Sequence, residues 1–173
     1  MSKIEINKLL FDIACTSIAC DGHIDEREVD ELKRIQKSTP YFKNIDTTGK
    51  LNKFIDNFKN NSAEIIDNML INLQNSVLSP VQQLLVLEVV LRIVYSDTII
   101  QPNEIEFIKA VRSSLTIEDQ LIKERFGEID FLFKTENGSD FAKEEKEEIS
   151  QLKSIDTSNL ENLYVSLKKD KPE

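Results

Sequence analysis

Histidine, cysteine, glycine, proline and basic charge are all scarce in this sequence, and tryptophan is missing. Each shortage excludes something. His23 is the only histidine, so zinc-ligand spacing and a nucleophile–histidine–acid triad have nothing to build on. The two cysteines, Cys15 and Cys20, sit five residues apart in an apolar helical stretch and point to different sides of it. That removes a disulfide within the helix and reads as two small buried side chains. With four glycines there is no glycine-rich phosphate loop, and no nucleophile–base pair has a recognisable context. The chain is therefore expected not to be an enzyme. Its 22 basic against 31 acidic residues leave a net charge of −9. A cationic face for nucleic acid is absent on that balance, and an anionic membrane surface is equally disfavoured. Cations and basic protein surfaces are the favoured partners. The longest apolar-rich stretch, Leu84 to Tyr95, is broken by Glu88 and Arg92 and is too short to span a bilayer. The N-terminus enters an amphipathic pattern directly, without a signal-type apolar core. A cytoplasmic protein with no direct membrane insertion is expected.

What is abundant is helix-forming sequence. With eight Gly and Pro residues in 173, breakers are few, and Leu, Ile, Lys and Glu dominate. Spacings of three and four predict a first helix from about Ile4 to Cys20, closed by Gly22. A second starts after Asp25, whose side chain and Glu28 form a capping-box pattern, and ends near Ser38-Thr39-Pro40. A third is expected over about 50–60, and a fourth capped by Ser62. Ser79-Pro80 opens a fifth, apolar nearly all round and so central. Pro102 opens a sixth, and Thr116 is expected to cap a seventh with Asp119 at the box position. Beyond Gly127 the pattern predicts a charged helix over about 140–153 and a short amphipathic one with Leu160, Leu163, Tyr164 and Leu167. The fold class is all-α: a compact bundle of about seven to nine helices. Residues 1–126 read as the helical domain, and 127–173 as an acidic helical extension packed on or continuing it.

The strongest organising signal is an internal repeat. Asp21-Gly22-His23-Ile24-Asp25-Glu26-Arg27-Glu28 aligns without gaps to Asp97-Thr98-Ile99-Ile100-Gln101-Pro102-Asn103-Glu104. Asp21 matches Asp97, Ile24 matches Ile100, Glu28 matches Glu104 and Leu32 matches Ile108, all at an offset of 97 − 21 = 76. Each copy runs helix, Asp, short turn, Ile, cap, Glu, helix. The first copy also fits the second half of an EF-hand loop. Its leading ligand positions, however, fall on Ser17 and Ala19, and Ala19 has no side-chain oxygen, so the calcium-loop reading fails.

The stretch Ile18-Ala19-Cys20-Asp21-Gly22-His23-Ile24-Asp25-Glu26-Arg27-Glu28 resembles the Ala-x-x-Asp-Gly-x-Ile-x-x-x-Glu signature of TerB-like domains. These are the tellurite-resistance TerB proteins and their relatives, including a domain of some membrane-anchored J-domain co-chaperones. The second copy resembles that family's more degenerate second motif, departing from it at Thr98 and Gln101-Pro102. The likeness covers about Ile4 to Leu115. It implies an all-helical fold with two pseudo-symmetric helix–turn–helix halves. It also implies a role in stress-response or defence complexes, and a divalent cation (Ca, Mg or Mn) at Asp21, Glu28, Asp97 and Glu104, with Asp25 as an extra.

Two readings of these acids stand side by side. If the halves pack about a pseudo-twofold axis, converging carboxylates repel one another unless protons or a hard cation compensate them. Alternatively the residues are structural: Glu28 and Glu104 in first helical turns, Asp21 and Asp97 bonding their own turns. His23 reads as an exposed turn residue or a further ligand. The expected function is that of a non-enzymatic interaction module with one or more protein partners. The alternative is a plain adaptor without metal, acting through its acidic C-terminal part.

Overall fold

The computed structural model describes residues 3–97 and 99–133. Two compact units divide the chain, one up to Thr116 and one from Ile117. The first holds five helices: α1 (Lys3–Ala19), α2 (Glu26–Ser38), α3 (Thr47–Asn75), α4 (Pro80–Val94) and α5 (Pro102–Ser113). In the second, α6 (Asp119–Phe126) is followed by a single 3-10 turn, Asp130–Leu132. Every regular element among the described residues is helical.

The core of the first unit is the pair α1–α4, which make the most extensive helix contact in the chain. Ile13, Ala14, Cys15 and Ile18 of α1, and Val86, Leu87, Val89, Val90, Ile93 and Val94 of α4, are sealed from solvent. Each Leu, Ile or Val so buried contributes about 1.5–3 kcal/mol of hydrophobic stabilisation. As its composition predicts, α4 is covered on nearly all sides. Around this pair, α2 packs on α4, α3 on α1, and α5 on α4. Tyr41 and Phe42, in the turn after α2, also enter the core, and Phe42 meets Phe11 edge-on at 5.6 Å.

Helix ends follow local chemistry. Gly22 stops the α1 segment at φ +82°, a conformation that costs other residues steric strain. Ser79 caps α4: its Oγ accepts the Gln82 amide at 3.2 Å while Gln82 Oε1 accepts the Ser79 amide at 3.0 Å. Asp46 caps α3, three residues before the start expected from periodicity, by accepting the Gly49 amide at 3.1 Å. A Cβ on residue 49 would push that carboxylate aside and so disturb the cap.

One expectation is borne out and one corrected. The third and fourth expected helices are present within α3 as two helices joined across a kink, where Asn61 has a non-helical backbone (φ −137°, ψ 32°), one residue before Ser62. Counting the two arms of α3 separately, the described residues hold the seven helices expected of them. Thr116 does not cap α6; Glu118 occupies that position, and Asp119 is the first helical residue. The reason is tertiary. The Thr116 amide donates to Gln83 Oε1 at 2.8 Å, and the Thr116 hydroxyl accepts from Gln83 Nε2 at 3.2 Å, so the would-be cap is tied to α4. The helices expected over 140–153 and around Leu160–Leu167 lie outside the described residues.

Candidate functional site

The repeat survives in three dimensions at the same offset: α2 begins at 26, α5 at 102, and 102 − 26 = 76. In the first turn, the Gly22 amide donates to the Ala19 carbonyl at 2.9 Å, and Asp21 Oδ1 accepts the His23 amide at 2.8 Å. Asp21 is thus an Asx-type turn former. Asp25 then caps α2, accepting the Arg27 amide at 2.7 Å, and Glu28 reaches back to the Asp25 amide at 3.4 Å. In the second turn, Ser96 bonds back to the Ile93 carbonyl, Asp97 follows, and Glu104 Oε2 accepts the Gln101 amide at 2.6 Å. Thr98 lies outside the described residues.

These two reach-back glutamates meet. Glu28 and Glu104 are each 4% exposed, and their carboxyl groups hydrogen-bond to one another. Two buried carboxylates at hydrogen-bond range cannot both stay ionised. Burial pushes the Glu28 carboxyl up to about 9, helped by the charge of Glu104, by donation of its proton to Glu104 and by the charge of Asp21. Glu104 is also raised by burial and by Asp21 and Asp97, but the Gln101 amide and the hydrogen bond from Glu28 hold it down. At neutral pH the pair therefore holds a shared proton rather than two charges. Cys20 lies beside them. Burial first, then the charges of Glu104, Asp21 and Glu28, push its thiol far up, so it is a neutral filler rather than a thiolate.

The remaining two acids are joined by an arginine. Arg27 places Nε 3.1 Å from Asp25 Oδ1 and Nη2 3.0 Å from Asp25 Oδ2, and extends Nη1 to Asp97 Oδ1 at 2.7 Å. The hydrogen bonds from Arg27 hold the Asp25 carboxyl below the usual carboxylate range. One guanidinium thus spans the first and second turns.

The model of the family described as Tellurite resistance protein TerB matches residues 9–124, well over half of the chain. The chain belongs to the TerB family. No curated protein and no solved structure matches it. The family assignment carries the all-helical class seen here, with α1–α2 and α4–α5 as the repeated TerB halves. No helix among the described residues is long and apolar enough to cross a membrane.

The TerB resemblance implies a cation at Asp21, Asp25, Glu28, Asp97 and Glu104, and the structure brings these five residues around one place. As they stand, they do not fit a metal. Among the described residues no group of three or more His, Cys, Asp or Glu side chains takes a metal-holding arrangement. The reason is visible in their partners: Glu28 and Glu104 face each other through a hydrogen bond, and Asp25 and Asp97 face Arg27. Reading the sequence located the acids and missed Arg27. The signal was there, since Arg27 is the one basic residue of the first motif and its counterpart in the second is Asn103.

Other features of the unit were not legible in advance. Glu31 of α2 takes Arg92 of α4 in a buried ion pair, with Nε at 2.7 Å and Nη2 at 2.6 Å from Oε1, while Oε2 receives Arg34 at 2.7 Å. At the far end of α3, a groove of about 160 Å³ is lined by Leu73, Leu78, Gln83 and Leu115, with Val77 on its rim. Val77, just past the end of α3, is 87% exposed and Ile71, six residues earlier in α3, 51%.

Proposed function

We propose that this TerB-family chain works by binding rather than by chemistry, as a non-enzymatic helical interaction module of a cytoplasmic stress-response or defence assembly of the tellurite-resistance type. The observation that carries this reading is the fate of Glu28 and Glu104. Among the described residues, a proton-sharing carboxyl pair is the arrangement with the makings of acid–base catalysis. Both members are buried, bonded to each other and bonded to the capping amides of their own helices, which leaves a substrate no approach. The pair holds two turns together and presents nothing outward.

The contact surface for a protein partner is the end of α3 and the segment after it, where Ile71 and Val77 stand exposed and Val77 lines the groove. Large apolar side chains in solvent next to a concavity suit a partner's apolar anchor. The test is capture of a partner on the immobilised full-length chain. Val77→Asp with Ile71→Lys is expected to abolish capture without lowering the melting temperature, and chelator is expected not to matter. Capture that survives the double substitution, but is lost when Glu144, Glu145, Glu147 and Glu148 are changed to Gln, would move the contact to the acidic C-terminal part.

A second reading, a divalent-cation module, requires the Glu28–Glu104 contact and the Arg27 bridge to open so that Asp21, Glu28, Asp97 and Glu104 turn to one ion. Thermal melts of metal-stripped protein with Ca²⁺, Mg²⁺ and Mn²⁺ decide it. A saturable rise lost in the Asp21→Asn/Asp97→Asn variant would establish it, because a ligand binding only the folded state must stabilise that state.

A further inference from the structure

We infer that Arg27 is the resident cation of the paired turns: its guanidinium, seated between Asp25 and Asp97, supplies the positive charge that these acids would otherwise take from a metal ion. Guanidinium is charged at all accessible pH values and presents a planar fork of donors. Here the fork is divided. Nε and Nη2 take both oxygens of Asp25, at 3.1 and 3.0 Å, and Nη1 is left to reach Asp97 at 2.7 Å. One cation thereby serves a carboxylate from each repeat, as a bridging metal ion would.

The repeat itself points the same way. Position 27 + 76 = 103 carries Asn, so only the first turn brings an arginine, and the two turns together have a single such bridge. The acids on the buried side need no outside charge either, because Glu28 and Glu104 face each other through a hydrogen bond. The inner pair and the outer pair are each closed from within the chain. This explains why the TerB acids gather in one place yet form no metal-holding group.

Arg27 is 53% exposed, so its ion pairs contribute little to the fold and a variant lacking them is expected to stay folded. The experiment is a thermal melt of metal-stripped wild type, Arg27→Gln and Arg27→Lys, titrated with Ca²⁺, Mg²⁺ or Mn²⁺ at constant ionic strength. In Arg27→Gln, a saturable rise in Tm of about 3–6 °C at tenfold excess over Kd is expected. Wild type and Arg27→Lys, which keep a cation between the acids, are expected to show little or no rise. Adding Asp97→Asn to Arg27→Gln should abolish the gain. A rise clearly larger in Arg27→Gln than in wild type supports the inference. Equal rises in both proteins, or no rise in either, overturn it. The readout uses the isolated chain, so it stands or falls separately from the search for a partner.

Discussion

The two halves of the first unit share a backbone plan and divide the chemistry unequally. Both begin an apolar helix, turn after an Asp, cap a second helix and send its third residue, a Glu, back to the cap. The reach-back bond is 2.6 Å in the second half and 3.4 Å in the first. Charge-assisted hydrogen bonds are the shorter and stronger ones. Glu104 is accordingly the more tightly held of the two at its own cap, while both carboxyl groups are raised by burial. Asp25 caps α2 in the first half, where Gln101 stands in the second, and Arg27 faces Asn103. The lesson is that a symmetric juxtaposition of like charges is relieved by breaking the symmetry. One proton goes to one glutamate, and one arginine is supplied by one repeat.

The largest way to break the comparison lies away from the turns. Glu31 and Arg92, which join α2 to α4, have Phe107 and Thr16 at their repeat-related positions, so this ion pair has no twin. Glu31→Ala strips a largely buried arginine of its carboxylate and is expected to cost about 3–5 kcal/mol. Urea unfolding measures it. Replacing both partners, Glu31→Leu with Arg92→Met, should recover most of the loss, because a buried ion pair and an apolar pair of similar volume are close in stability.

Next in size are the two glutamates, where the halves should respond differently to the same change. Glu104→Gln replaces the acceptor of the 2.6 Å bond from the Gln101 amide and of the bond from Glu28, and about 1.5–3 kcal/mol is expected to be lost. Glu28→Gln keeps a neutral group able to donate, so its cost at neutral pH should fall below about 1 kcal/mol. Its effect shows in pH dependence. Glu28 binds its proton more tightly folded than unfolded, so its contribution is full below its ordinary 4.5 and is lost as pH rises toward about 9. The stability of wild type relative to Glu28→Gln should therefore decline across that window. Equal costs for the two substitutions would mean that the pair is symmetric after all.

How much of this was legible in the sequence depends on how far apart the causes lie. Gly22, the Asp25–Glu28 box, Ser79-Pro80 and Pro102 act on their own helix ends, and those ends fall within a residue or two of expectation. The offset of 76 is likewise a property of the string, and it gave the repeat. Thr116 was misassigned because Gln83, 33 residues away, claims its amide and hydroxyl. The boundary read before Ser62 is local too, and the kink falls at Asn61, one residue earlier. At the site, residue type and spacing identified the five acids. What they do is set by contacts across the fold: Glu28 with Glu104, and Arg27 with Asp97. Carboxylates facing each other call for a proton, a metal or an arginine alike, and nothing local distinguishes the three.

The central claim is that a proton, held by Glu28, closes the inner contact between the repeats. Its most direct test is a carbon NMR titration of the Glu28 side-chain carboxyl, assigned by comparison with Glu28→Gln. The account predicts a neutral carboxyl at pH 7 that ionises at about 9. Ionisation of Glu28 near the ordinary 4.5 would contradict it.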